Sequence, residues 1–130
     1  MIVVDGSLLA PALSDDTDEG DRLRQRLRGL RLTAPELIDL ELLFVLRSAL
    51  RRGLVDARRA RLAWGDLASM PLHRAEHRPL LPRAWELRDN LTTYDATYVA
   101  LAEILGTTLL TTDSKLANAP RIRCDVDLIQ

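Results

Sequence analysis

At 130 residues, 47% hydrophobic and 28% charged, the chain is long enough to bury one core and too short for a second, so residues 1–130 are read as one soluble globular domain. A formal net charge of −1 excludes global electrostatic attraction to nucleic acid, which makes any basic site a local one. No apolar run approaches the ~20 residues that span a bilayer, and the single cysteine, Cys124, excludes a disulfide within the chain and points to a reducing, cytoplasmic setting.

Met1-Ile2-Val3-Val4 is too short for a signal peptide and reads as a strand buried on both faces, ended by Asp5-Gly6-Ser7 turning into a helix. Asp15-Asp16-Thr17-Asp18-Glu19 places acids where a helix N-terminus favours them, with Leu23, Leu27 and Leu30 at helical spacing beyond. The cluster does not fit a calcium loop, because Gly20 falls at the wrong position. Leu32-Thr33-Ala34 is a short strand, after which Pro35 is expected to open a long helix through Arg52, apolar nearly all round and closed by Gly53. Another helix runs from about Asp56 to Ser69, and Pro71 to Ala75 forms a strand. Leu80 to Arg88 and Thr92 to Leu105 read as helices broken at Asp89-Asn90, the second ended by Gly106. Thr108 to Thr112 is a β-branched strand ending in Asp113, and Ile122 to Leu128 alternates as a strand with one wet face.

Strands alternating with helices argue for an α/β fold with a parallel sheet covered on both faces. Ligands of such sheets bind outside the carboxyl ends of the strands, where strand order reverses. Asp5 and Asp113 lie at two such ends.

Asp5, Glu41, Asp95 and Asp113 share a second property: each sits among apolar or small neutral residues, with no basic side chain at helical or strand spacing to neutralise it. An uncompensated carboxylate in a low dielectric costs several kcal/mol or takes up a proton. If the fold gathers the four, the missing partner is a cation, most simply Mg²⁺ or Mn²⁺ used in phosphodiester chemistry. Each aspartate also has a structural explanation. Asp5 suits the N-cap of the helix starting near Ser7, Asp113 that of a short Ser114 to Asn118 helix, and Asp95 completes a capping-box-like Thr92-x-x-Asp95. Glu41 lacks one, because its helical neighbours are Leu37, Ile38, Phe44 and Val45, so only an arginine from elsewhere would pair it.

Ser7 and Thr112 adjoin the strand-end acids and offer hydroxyls to the site. His73 and His77 have the i, i+4 spacing of metal ligands, but their Pro-rich, strand-like setting and the lack of a third ligand argue against zinc. Trp64 and Trp85 are read as anchors of helix packing or of a subunit interface, and Asp125 and Asp127 as water-facing.

In order and spacing, Met1-Ile2-Val3-Val4-Asp5-Gly6-Ser7, Ala34-Pro35-Glu36-Leu37-Ile38-Asp39-Leu40-Glu41, Leu87 to Glu103 and Leu110-Thr111-Thr112-Asp113 resemble a PIN domain, specifically the VapC type of toxin ribonuclease from bacterial toxin-antitoxin pairs. The resemblance implies a three-layer α/β/α sandwich. It also implies a metal-dependent endoribonuclease with Asp5, Glu41, Asp95 and Asp113 around Mg²⁺ or Mn²⁺, a homodimer, and a VapB-type antitoxin whose tail enters the acidic groove. Many members carry a further acid just after the last motif, where this chain has Ser114 and Lys115. The rival classes are a catalytically silent PIN-like binding module and, less well matched, a receiver-like signalling domain, which needs an acidic pair after its first strand where Gly6 and Ser7 stand.

Overall fold

The computed structural model describes residues 1–130. In chain order the elements are β1 (Ile2–Val4), α1 (Gly6–Ser14), α2 (Asp18–Leu27), β2 (Leu32–Pro35), α3 (Ile38–Arg51), α4 (Ala57–Ser69), β3 (His73–Ala75), a 3₁₀ turn (Arg78–Leu80), α5 (Leu81–Glu86), α6 (Thr93–Leu105), β4 (Leu109–Thr111), α7 (Ser114–Ala117) and β5 (Val126–Leu128). The five strands are all parallel in the order β3-β2-β1-β4-β5. Strand order therefore reverses between β1 and β4, the two strands that end in Asp5 and Asp113.

Val3, Val4, Leu109 and Leu110 are all buried, and because successive strand residues face opposite sides, both faces of the sheet are covered. On one side α1 packs against β4 and carries α2, α3 and α4 around it; on the other, α6 lies across β1, β2 and β4 with α5 against it. The result is an α/β/α sandwich. No helix is long and apolar enough to cross a membrane.

Several boundaries differ from the sequence reading. Pro35 does not open the long helix: it is the last residue of β2, level with Ala75 of β3, and the Glu36 N–H continues the pairing to the Ala75 carbonyl at 2.9 Å. Tertiary pairing overrides the local helix-start signal, and α3 begins at Ile38 after a turn. The last strand shrinks to Val126–Leu128, because β4 begins only at Leu109, the partner of Val126, and Ile122 and Cys124 have no strand beside them. Asp127 pairs with Arg26 rather than facing water alone. Trp64 and Trp85 are 48% and 68% exposed, so neither anchors packing within this chain.

Candidate active site

Asp5 is where β1 delivers it. Its N–H donates to the Leu110 carbonyl at 2.9 Å, which places residue 5 beside Thr111 on the neighbouring strand. The consequence is a hydroxyl clamp: Thr111 Oγ1 and Ser7 Oγ each donate to Asp5 Oδ2 at 2.7 Å. Although Asp5 sits at the N-cap of α1, its side chain caps nothing, so the structural explanation offered for it does not apply. It is 3% exposed with no basic partner.

Glu41 reaches the same edge from the first turn of α3. Gly6 makes room for it, since a Cβ at position 6 would stand 3.1 Å from Glu41 Oε2. No arginine pairs with Glu41. Instead the buried Tyr98 hydroxyl donates to Oε1 at 2.7 Å. Asp95 arrives on the first turn of α6, one helical turn before Tyr98. Half of the expected capping box forms there, with the Asp95 N–H donating to Thr92 Oγ1 at 3.2 Å.

Asp113 behaves differently. Its Oδ1 accepts from the Lys115 and Leu116 N–H groups at 2.9 and 3.4 Å, so it caps α7 as the alternative reading held, with Oδ2 left over. Ser7 contacts Asp5 through its hydroxyl, but Thr112 plays another part. Pro11 has no N–H for the Ser7 carbonyl one turn earlier in α1, and Thr112 Oγ1 donates to that carbonyl at 3.2 Å. Of the two threonines, Thr111 is the one whose hydroxyl touches Asp5. Sequence reasoning missed Thr111 and Tyr98, though spacing carries a signal for both: Thr111 is two strand positions before Asp113, and Tyr98 is one helical turn after Asp95.

The electrostatics follow from this crowding without counter-charge. Burial, together with Asp5 and Asp95 nearby, raises the Glu41 pKa above the ordinary 4.5, against the lowering effect of the Tyr98 hydrogen bond. Asp95 is raised above 3.8, first by burial and then by Asp5 and Asp113. The Tyr98 phenol is pushed far up by burial and by Glu41, so it is a fixed donor.

An all-oxygen set of this kind suits a hard divalent cation. No three His, Cys, Asp or Glu side chains are drawn together closely enough to grip an ion directly. Mg²⁺ keeps several of its waters when bound, so carboxylates at this spread fit one held partly through water. His73 and His77 do not belong to the site: His73 Nδ1 meets Thr33 Oγ1 at 3.0 Å, and His77 faces Glu36 at 3.4 Å.

A PIN-domain family model matches residues 2–122. The chain is similar to the ribonuclease VapC9 of Mycobacterium tuberculosis, 39% identical over 132 residues that cover 99% of this chain and 98% of that one. The solved structure of FitAcB from Neisseria gonorrhoeae aligns with a TM-score of 0.72 at 14% identity, over 97% of this chain and 96% of the other. That of VapC20 of M. tuberculosis, a sarcin-ricin loop cleaving toxin, aligns at 0.69 with 18% identity, over 89% and 92%. The two structural likenesses speak to the fold alone.

Proposed function

The chain belongs to the PIN-domain family, and from that premise we propose that it is an endoribonuclease of the VapC type, the toxin of a toxin-antitoxin pair, whose site is Asp5, Glu41, Asp95 and Asp113. One observation supports the reading: buried and half-buried acids at the carboxyl edge of a parallel sheet stand near enough to raise one another's pKa, with hydroxyl partners and no basic ones. A structural acid cluster would be paired or dispersed, because each uncompensated charge is destabilising.

Asp5, Glu41 and Asp95 would hold Mg²⁺ or Mn²⁺, with Asp113 near enough to raise the Asp95 pKa. The cation, when bound, supplies positive charge to the scissile phosphate and lowers the pKa of water. The chain's own residues do the rest. Ser7 and Thr111 hold one oxygen of Asp5 through two hydrogen bonds, which leaves the other for the cation. Tyr98 does the same for Glu41 through one. Asp95 and Asp113 accept hydrogen bonds from a water and orient it for in-line attack on the phosphodiester.

The partners follow from α3. Ile38, Leu42 and Leu46 face the core, while Leu40, Leu43, Phe44 and Leu50 are 69%, 46%, 69% and 42% exposed. A groove of about 600 Å³ between α3 and α6 runs from Leu40 and Phe44 past Tyr94 to Glu41. An amphipathic antitoxin helix with a basic side chain, or a second copy of the chain, would cover this face.

The deciding experiment is RNA cleavage with Mg²⁺ or Mn²⁺ and with EDTA, comparing wild type with Asp5→Asn and Asp95→Asn. The variants keep the shape and lose the ligand charge, so they fold and do not cleave. Equal cleavage by both variants, or by a folded wild type in EDTA, would sink the assignment and favour a silent binding module.

A further inference from the structure

Away from the acids, the chain carries a concentration of arginine that the nuclease site does not use. Arg83, Arg88, Arg121 and Arg123 line a cleft of about 580 Å³ with Glu86 and Ile122. The acids at this cleft are already engaged. Arg83 Nε donates to Glu103 Oε1 at 2.7 Å and Arg83 Nη1 to Glu86 Oε2 at 3.0 Å. Arg88, Arg121 and Arg123 form no ion pair.

The cleft is braced from beneath by hydrogen bonds to its backbone. Arg83 Nη2 donates to the Arg121 carbonyl at 2.7 Å, and the Arg123 N–H donates to Glu103 Oε2 at 2.8 Å, so one inward ion pair fastens the loop bearing both outward arginines. Arg121 itself adopts φ +67°, the one non-glycine residue of the chain in the left-handed region. Such a conformation costs on the order of 1 kcal/mol and persists only where surroundings impose it. Beside the loop, the Arg88 guanidinium lies 4.5 Å from the centroid of the exposed Trp85 ring. Guanidinium groups carried on a pinned backbone beside an exposed aromatic ring are the chemistry that takes phosphodiesters and unstacked bases.

We propose that this cleft is a second RNA-binding site, gripping the phosphate backbone of the same strand that is cut at the acids. The inference rests on the ribonuclease reading. Its geometry follows from α6, which carries Asp95 at one end and Glu103, the anchor of the cleft, near the other; at 1.5 Å per residue they are about 12 Å apart along the helix axis. A strand a few nucleotides long spans that separation. In a chain of net charge −1 the cleft would supply the attraction that the acidic site cannot.

The test is a double variant, Arg121→Gly with Arg123→Ala. Glycine is at home at φ +67°, and alanine keeps the N–H that bonds Glu103, so the fold is retained; circular dichroism and the melting temperature check this. Binding of a fluorescein-labelled single-stranded RNA of about 12 nucleotides is followed by anisotropy in EDTA across a salt series. The variant should bind on the order of tenfold more weakly, and the slope of log K against log salt should flatten by about 1.4, the share of two phosphate contacts on a single strand. In Mn²⁺, KM for the same RNA rises while kcat holds. Unchanged affinity and slope would overturn the proposal even if the wild type cleaves RNA. A wild type that cleaves no RNA would instead refute the nuclease reading, and the anisotropy series would still decide the cleft.

Discussion

Replacing Tyr98 by Phe isolates the one protein hydrogen bond that Glu41 receives. The Tyr98 ring is fully buried, and its hydroxyl donates to Glu41 Oε1 at 2.7 Å. A hydrogen bond to a charged group is worth about 1.5–3 kcal/mol when both partners are buried. Glu41 is only half-buried and borders the open groove, so water takes over part of the interaction in the variant, and the expected loss is about 1 kcal/mol at neutral pH. For a domain of this size that corresponds to a melting temperature roughly 4 °C lower. The loss should depend on pH. The hydroxyl favours the ionised carboxylate, so it lowers the Glu41 pKa, and its contribution is present above that pKa and shrinks as pH falls through it. Metal affinity should fall as well, because the variant's Glu41 gives up its proton less readily. Urea denaturation at neutral and acidic pH, with Mn²⁺ titration alongside, checks all three. A loss of equal size at both pH values would mean that the hydroxyl matters for packing and not for the charge on Glu41.

Without metal, Glu41 and Asp95 have pKa values above the ordinary 4.5 and 3.8, so the stability they contribute is fully present below those values and is lost as pH rises through the raised ones. Metal-free protein should therefore gain stability as pH is lowered into that window, and Glu41→Gln should weaken the gain; thermal melts in EDTA measure it. Thr111→Val removes a donor to Asp5 and the acceptor of the Asp113 N–H, and should cost about 1–2 kcal/mol and weaken metal binding. Thr112→Val, which loses only the bond to the Ser7 carbonyl, should cost less in denaturant melts and leave metal titration unchanged. Phe44→Asp on the exposed face of α3 should leave the fold intact and abolish co-purification with the product of the neighbouring upstream gene, read by size-exclusion chromatography.

The α/β architecture was legible in the sequence because its signals are local. Apolar runs such as Met1 to Val4 and Thr108 to Thr112, set between helical periodicities, require strands covered on both faces, and a parallel sheet is the arrangement that supplies the cover. The acids could be picked out for a related reason: a carboxylate among apolar neighbours is anomalous within its own element, whatever the rest of the chain does. What each acid touches was decided only by the tertiary structure. Thr111 rather than Thr112 reaches Asp5 because the register of β4 on β1 sets Leu110 level with Val4, and register is a relation between segments more than a hundred residues apart. Tyr98 meets Glu41 because α6 crosses the sheet near α3, which no spacing within either helix encodes. Pro35 ends a strand instead of starting a helix because β3 lies alongside to pair with it. Local chemistry named the charges that need partners, and the packing of distant elements chose the partners.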